Sequence, residues 1–302
     1  MNQVIRVKDL SKHFGDLKAV SNLSFSVGQG QVYGFLGQNG AGKSTTIRML
    51  MTLIEPTSGE IEIFGMSLRK HRKEILRQTG AIIEKPDLYK YLNAKENVRI
   101  FSRLSGVKST DTQIMDQLAL VGLAERAGSK VKTYSQGMKQ RLGLACALIH
   151  NPGLIILDEP SNGLDPQGIA DMRQLILHLS RDLGKTLLVS SHLLSEMEMV
   201  ADNMLIIHKG EKVVEGRVSE LLDPEKTMVE LITPDMEAAL VVLKDSPWQQ
   251  ALKEPVKGTI RLECNRNEIP GLNRMLVEKG IPVQSLRPMN SLEDYFLSLT
   301  KV

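Results

Sequence analysis

The sequence predicts an α/β protein: a parallel sheet covered by helices on both faces, interrupted by a helical subdomain and followed by a small C-terminal α+β domain. Three observations lead there. Short apolar runs such as Leu154–Leu157 and Thr186–Ser190 alternate with helical patterns, as strands do when both faces of a sheet are buried. A glycine-rich loop from Gly37 to Ser44 joins an apolar strand to a helix. After Pro224 a second, shorter alternation of strands and helices begins.

Taken in order, Val4–Val7, Leu23–Val27 and Val32–Leu36 read as short strands, with Gly28 and Gly30 marking the turn before the last. A helix is expected from about Lys43 through Met51, then strands at Ile61–Phe64 and Gly80–Ile83. Between residues 88 and 150 the periodicity turns helical, at Ala94–Leu104, Thr112–Val121 and Gly137–Ile149, and this stretch reads as an inserted subdomain. Strands return at Leu154–Leu157, Thr186–Ser190 and Ala201–His208, with an amphipathic helix at Met172–Asp182. These elements place one domain at residues 1–220 and a linker at Asp223-Pro224.

Residues 225–302 form the second domain. Strands are expected at Thr227–Ile232, Gly258–Cys264 and Val283–Arg287, with a weak one at Gln250–Val256. Helices are expected at Asp235–Lys244 and Glu268–Glu278, and a closing helix at Leu292–Leu299. The order βαββαβ is the ferredoxin-like arrangement.

Composition narrows the function less than the motifs do. With 302 residues and 42% hydrophobic content, the chain can bury a sizeable core. Its 38 Lys+Arg against 35 Asp+Glu leave a net charge of +3, too little to point to nucleic acid. That excess suits a protein beside an anionic membrane leaflet and an ordinary soluble protein equally well. Cys146 and Cys264 are far apart and in no metal-ligand spacing, as expected of idle thiols in a reducing compartment. The first residues alternate like a strand and lack the apolar core of a signal peptide. No uncharged apolar run approaches the roughly 18 residues that cross a bilayer, so a membrane role is expected to come through a partner.

Gly37-Gln38-Asn39-Gly40-Ala41-Gly42-Lys43-Ser44 fills every fixed position of the P-loop, between a strand and a helix as that motif requires. Its glycines let backbone N–H groups and the helix N-terminus close around phosphate oxygens. Nucleotide contacts are therefore expected along Gly37, Gln38, Asn39, Gly40, Ala41, Gly42, Lys43, Ser44 and Thr45. Lys43 is expected to reach the β- and γ-phosphates, and Ser44 to hold Mg²⁺. Downstream, the buried run Leu154–Leu157 ends in Asp158 and Glu159. An Asp-Glu pair at a strand end is usually a solvated turn. Behind an intact P-loop it reads instead as a magnesium-supporting Asp158 and a general base, Glu159, for the attacking water.

Tyr134-Ser135-Gln136-Gly137-Met138-Lys139-Gln140-Arg141 opens a helix about twenty residues before Asp158, with Ser135 as a natural N-cap. Ser161-Asn162-Gly163-Leu164-Asp165-Pro166 and Ser190-Ser191-His192 follow. Together with the P-loop this ordered set resembles the ATP-binding subunits of ABC transporters, over roughly residues 1–220. The resemblance implies an ATPase that binds Mg-ATP between two copies of itself and drives a multi-helix membrane permease, from the cytoplasmic face of the membrane. It implies no nucleic-acid partner. It further implies that Ser135 and Gly137 contact the γ-phosphate held by the opposite subunit, and that Asp165 couples the two sites. His192 is implied to contact the γ-phosphate and steady Glu159, completing a catalytic set with Lys43. Phe14 matches the adenine-stacking aromatic, the alternative being a core phenylalanine.

Two departures from the family pattern stand out. The signature usually reads Leu-Ser-Gly-Gly-Gln, and here Tyr134, Gln136 and Met138 replace its first, third and fifth positions. Glu84 stands where the family has a magnesium-sensing glutamine; the alternative is a solvated carboxylate paired with Lys85. That glutamate, followed by Leu88-Tyr89-Lys90-Tyr91-Leu92, is similar to exporters of the bacitracin-resistance and lantibiotic self-protection type, and so is Ser291–Phe296. A rival reading is a soluble ABC-type ATPase acting on ribosomes or DNA. Such proteins usually carry two cassettes or long coiled-coil insertions, and no sustained heptads occur here. A catalytically dead binding module is opposed by the presence of Lys43, Ser44, Asp158, Glu159 and His192.

Overall fold

The computed structural model describes residues 2–221, 227–256 and 259–289. The chain divides after Gly216 into two compact units. The expected linker at Asp223-Pro224 and the closing helix at Leu292–Leu299 lie outside the described residues.

The first unit begins with two long strands, β1 (Gln3–Phe14) and β2 (Leu17–Gly28), and continues with β3 (Val32–Leu36), α1 (Lys43–Leu50), β4 (Ser58–Ile63), β5 (Met66–Ser67) and α2 (Arg72–Leu76). Then come β6 (Thr79–Ile82), α3 (Ala94–Leu104), α4 (Asp111–Leu120), α5 (Gln136–Leu148) and β7 (Leu154–Asp158). The unit closes with α6 (Pro166–Arg181), β8 (Thr186–Ser191), α7 (Leu194–Glu198), β9 (Asn203–His208) and β10 (Glu211–Arg217).

One sheet has the order β10-β9-β3-β8-β7-β6, and its β9-β3-β8-β7-β6 pairings are parallel. Every residue of β3, β7 and β8 is buried, which explains why those runs are apolar without alternation. A second sheet, β2-β1-β4-β5, is antiparallel and packs against it. Phe25 of β2 stacks on Phe35 of β3 with ring centroids 5.7 Å apart, inside a shared core with Ile5, Leu23, Ile156 and Leu188.

Two expectations are corrected here. Val4–Val7 and Leu23–Val27 are parts of one hairpin that runs on to Phe14 and back from Leu17. Gly15, with φ +57°, opens its two-residue turn. Register shifts at four places along the pair, with Asp9 and Asn22 at positive φ, destroy the alternation that would have shown the full strands. The helix expected from Met172 starts instead at Pro166, because Asp165 caps it through a 3.0 Å bond from the Gly168 N–H and proline suits the first turn.

The inserted segment holds α3, α4 and α5, each begun by a side-chain cap. Asn93 with Glu96 and Thr110 with Gln113 form capping boxes, and Ser135 accepts from the Met138 N–H.

The second unit contains α8 (Val218–Leu221), β11 (Thr227–Ile232), α9 (Met236–Lys244), β12 (Leu252–Val256), β13 (Thr259–Cys264), α10 (Ile269–Glu278) and β14 (Ser285–Met289). Its sheet order, β12-β13-β11-β14, is antiparallel throughout, the ferredoxin-like topology. Val229, Leu231, Leu243, Ile260, Leu272 and Leu276 fill its separate core.

Candidate active site

Three neighbouring parallel strands end together. In register, Leu36 of β3 lies opposite Ser191 of β8, and Ser190 of β8 lies opposite Asp158 of β7. The loops leaving these carboxyl ends carry Gly37–Gly42, Glu159 and His192. This is where ligands bind in open α/β sheets.

The loop after β3 leads into α1 through Gly42, at φ +107°. A Cβ there would lie 2.6 Å from the Ala19 carbonyl oxygen, so only glycine fits. The N-terminus of α1 has no side-chain cap and no acidic residue in its first turn, unlike those of α3 and α4, so its free N–H groups are left for an anion. Gln38, Asn39 and Gly40 are exposed, which makes the loop an open cradle.

Lys43 is buried at 5% exposure. Its Nζ donates to the Gly37 carbonyl at 2.7 Å and lies 3.1 Å from Glu159 Oε1. Oε2 of Glu159 is 2.6 Å from Nδ1 of His192. A carboxylate only accepts, so Nδ1 carries the proton and Nε2 remains free. Glu159 has φ +51°, a conformation that costs a non-glycine residue on the order of 1–2 kcal/mol. Strain of this kind clusters where a side chain must be aimed.

Ser190 connects the two carboxylates. Its buried hydroxyl donates to Asp158 Oδ1 at 2.5 Å and accepts from the Glu159 N–H at 2.9 Å. Asp158 Oδ2 is buried with no partner among the described residues. Such an orphaned oxygen fits a cation shell. Mg²⁺ characteristically takes one or two protein oxygens and completes its shell with water and phosphate. Charge balance agrees: two carboxylates against one lysine would repel a polyphosphate arriving without a dication.

Other expected residues do not join this cluster. Glu84 is exposed, has φ +61° and pairs with Arg48 of α1, not with Lys85. Asp165 is occupied as the cap of α6. Ser135 caps α5, and Gly137 faces Leu164, 3.8 Å from its Cδ2 to the position of a glycine Cβ. Phe14 is 49% exposed at the hairpin tip with the Lys12 ammonium 4.9 Å from its ring centroid, so it is no core phenylalanine. Tyr134 is buried, and its hydroxyl donates to the Arg126 carbonyl.

Two residues were missed by sequence reasoning. Ser190 gives no signal beyond its place in the Ser-Ser-His run. Glu196 of α7 accepts from the Ser161 hydroxyl and lies within electrostatic reach of His192 and Glu159; burial pushes its carboxyl up. Only the fold shows either contact.

Comparison with known proteins accords with this geometry. The sequence profile of the family described as ABC transporter matches residues 20–162. The bacitracin transport ATP-binding protein BcrA of Bacillus licheniformis is 43% identical over 300 residues, 99% of this chain and 98% of that protein. The lantibiotic transport ATP-binding protein SrtF of Streptococcus pyogenes is 41% identical over 212 residues, 70% of this chain and 90% of its own length. A solved ATP-binding subunit of an ABC transporter superposes with a TM-score of 0.65 at 32% identity, covering 72% of this chain and 91% of that one. With the phosphate cradle, the carboxylate pair and the histidine at the carboxyl ends of neighbouring interior strands, this chain belongs to the ATP-binding, ATP-hydrolysing subunits of ABC transporters.

Proposed function

We propose that two copies of this chain close around two Mg-ATP molecules and drive a membrane exporter of peptide antibiotics or related small molecules. The observation that carries the mechanism is the contact of Glu159 with both Lys43 and His192 at the strand ends. Two relatives that span nearly the whole chain are named for bacitracin transport and one that spans 70% of it for lantibiotic transport, which supports the substrate class, while another spanning 99% is named for Nod factor export. They give the reading of a soluble ribosome- or DNA-acting ATPase no support. The multi-helix permease is the partner this reading needs. Among the described residues no helix is long and apolar enough to span a bilayer.

Each residue then has a task. Lys43 exchanges Gly37 and Glu159 for β- and γ-phosphate oxygens. Glu159, released from the lysine, accepts a proton from the attacking water. His192 holds Glu159 through Nδ1 and turns Nε2 toward the γ-phosphate. Ser44 and Asp158 would hold Mg²⁺, which neutralises charge on the phosphates, and Glu84 would join them only on leaving Arg48. Ser135 and Gly137 serve the nucleotide of the second copy, with Asp165 between the sites; Phe14 stacks on adenine.

Glu159→Gln tests this. The amide keeps the shape but cannot take the proton, so turnover should fall about 10²-fold or more while ATP binding persists and the ATP-bound dimer accumulates. Lys43→Ala should lose nucleotide binding or hydrolysis. Wild-type turnover in either variant would remove that residue from the mechanism.

A further inference from the structure

The net charge of this chain is concentrated in one place. Residues 69–77 read Arg-Lys-His-Arg-Lys-Glu-Ile-Leu-Arg, five cations against one acid, a net of +4. The whole chain carries +3, so everything outside these nine residues sums to −1. The segment comprises the approach to α2, the helix itself and the residue after it.

Its presentation is equally uneven. Ile75 is the only buried residue of α2, and it anchors the helix to the core. Arg69, Lys70, Arg72, Lys73 and Arg77 are all exposed. Arg72 donates through Nε to Thr52 Oγ1 at 2.6 Å, which fixes the segment against the residues that follow α1. Among the described residues none of the five has an ion-pair partner, whereas Arg6, Arg48, Arg99 and Lys212 are each paired with a carboxylate. Five like charges gathered without neutralisation repel one another, so folding gains nothing from the arrangement.

We propose that this basic segment is a contact surface for the anionic phospholipid headgroups of the membrane at which the chain works. The proposal rests on the reading of the chain as a transporter subunit. A segment of nine residues carrying five Lys/Arg, two of them on a short helix anchored from behind by one apolar side chain, has the charge that an anionic leaflet attracts. Headgroup binding neutralises all five cations at once, which an isolated acidic side chain cannot do. It also holds the strand that leads from α2 into the Glu84 loop at a fixed height beside the membrane.

The test uses the purified full-length chain and sedimentation with two vesicle types, phosphatidylcholine alone and phosphatidylcholine with phosphatidylglycerol. Wild type should bind only the anionic vesicles, and high salt should release it because screening shortens the reach of these charges. The combined variant Arg69→Gln, Lys70→Gln, Lys73→Gln and Arg77→Gln spares Arg72 and its bond to Thr52. Its vesicle affinity should fall by about five-fold for each cation in contact. A control that neutralises Lys18, Lys108, Lys130 and Lys132 removes the same charge from exposed positions elsewhere and should bind as wild type does. Equal binding to both vesicle types, or equal loss in the control, would overturn the proposal. So would RNA binding that the α2 variant loses while its vesicle binding stays unchanged, since the cluster would then serve a polynucleotide. ATP turnover is measured alongside and should not change in the α2 variant. A wild-type chain that hydrolyses ATP but ignores anionic vesicles refutes this proposal alone. One that binds them without hydrolysing ATP supports it and counts against the proposed function.

Discussion

Replacing Ser190 by alanine should disable the site from behind without touching nucleotide. The hydroxyl is fully buried and makes two bonds, to Asp158 Oδ1 at 2.5 Å and from the Glu159 N–H at 2.9 Å. Loss of a hydrogen bond to a charged group costs about 1.5–3 kcal/mol, and an unsatisfied buried N–H about 1–3 kcal/mol. Asp158 Oδ2 already lacks a partner, so the variant would leave neither oxygen bonded. A net destabilisation of about 3 kcal/mol follows, a large share of a typical folding free energy of roughly 5–15 kcal/mol. For a unit of this size it lowers the Tm by about 6–12 °C. Ser190→Thr keeps the hydroxyl and should lose much less. Added Mg-ADP should widen the gap between Ser190→Ala and wild type, because the ligand stabilises most the protein that holds it most tightly. Magnesium affinity should weaken about 10–100-fold, the usual cost of losing a group that orients a metal ligand. The measurement is thermal unfolding of the three proteins with and without Mg-ADP. A fall of under about 1 °C in Ser190→Ala, or an equal fall in Ser190→Thr, would refute the reasoning.

Other perturbations separate the remaining roles. Glu84→Gln should keep hydrolysis but shift its magnesium dependence, and Arg48→Gln, which frees the carboxylate, should shift it the opposite way. Superimposable titrations would leave Glu84 as a surface partner of Arg48, worth under about 1 kcal/mol. Burial raises the Glu196 carboxyl above its unfolded value, so its contribution to stability is full below the ordinary glutamate range and lost as pH rises through the raised value. Glu196→Gln should therefore gain stability over wild type as pH rises toward neutrality and lose that gain in acid; a pH-independent difference in Tm would count against it. A chain ending at residue 220 should still bind ATP, since every residue assigned to the site precedes it; a folded truncation unable to bind would place part of the site in the second unit.

What the sequence determined on its own is whatever is written in contiguous residues. Gly37–Ser44 dictates its own loop because Gly40 and Gly42 supply the positive φ its turns require, and Ser135 caps the helix it begins. The buried strands β3, β7 and β8 are legible because two-sided burial demands unbroken apolar runs, and the second unit's βαββαβ order shows in its spacing. Tertiary structure decided what depends on register between distant segments. Ser190 meets Asp158 only because β8 lies beside β7 in one particular register, and a slip of one residue would turn its hydroxyl away. The partner of Glu84 is Arg48, 36 positions away, although Lys85 is adjacent in sequence, because the positive φ at Glu84 aims its side chain back at α1. The long hairpin stayed hidden for the converse reason: its bulges spoil the alternation while cross-strand pairing holds both strands together to Phe14 and Leu17. Local sterics and hydrophobic patterning are properties of a segment, whereas pairing register and long-range ion pairs exist only once segments have been brought together.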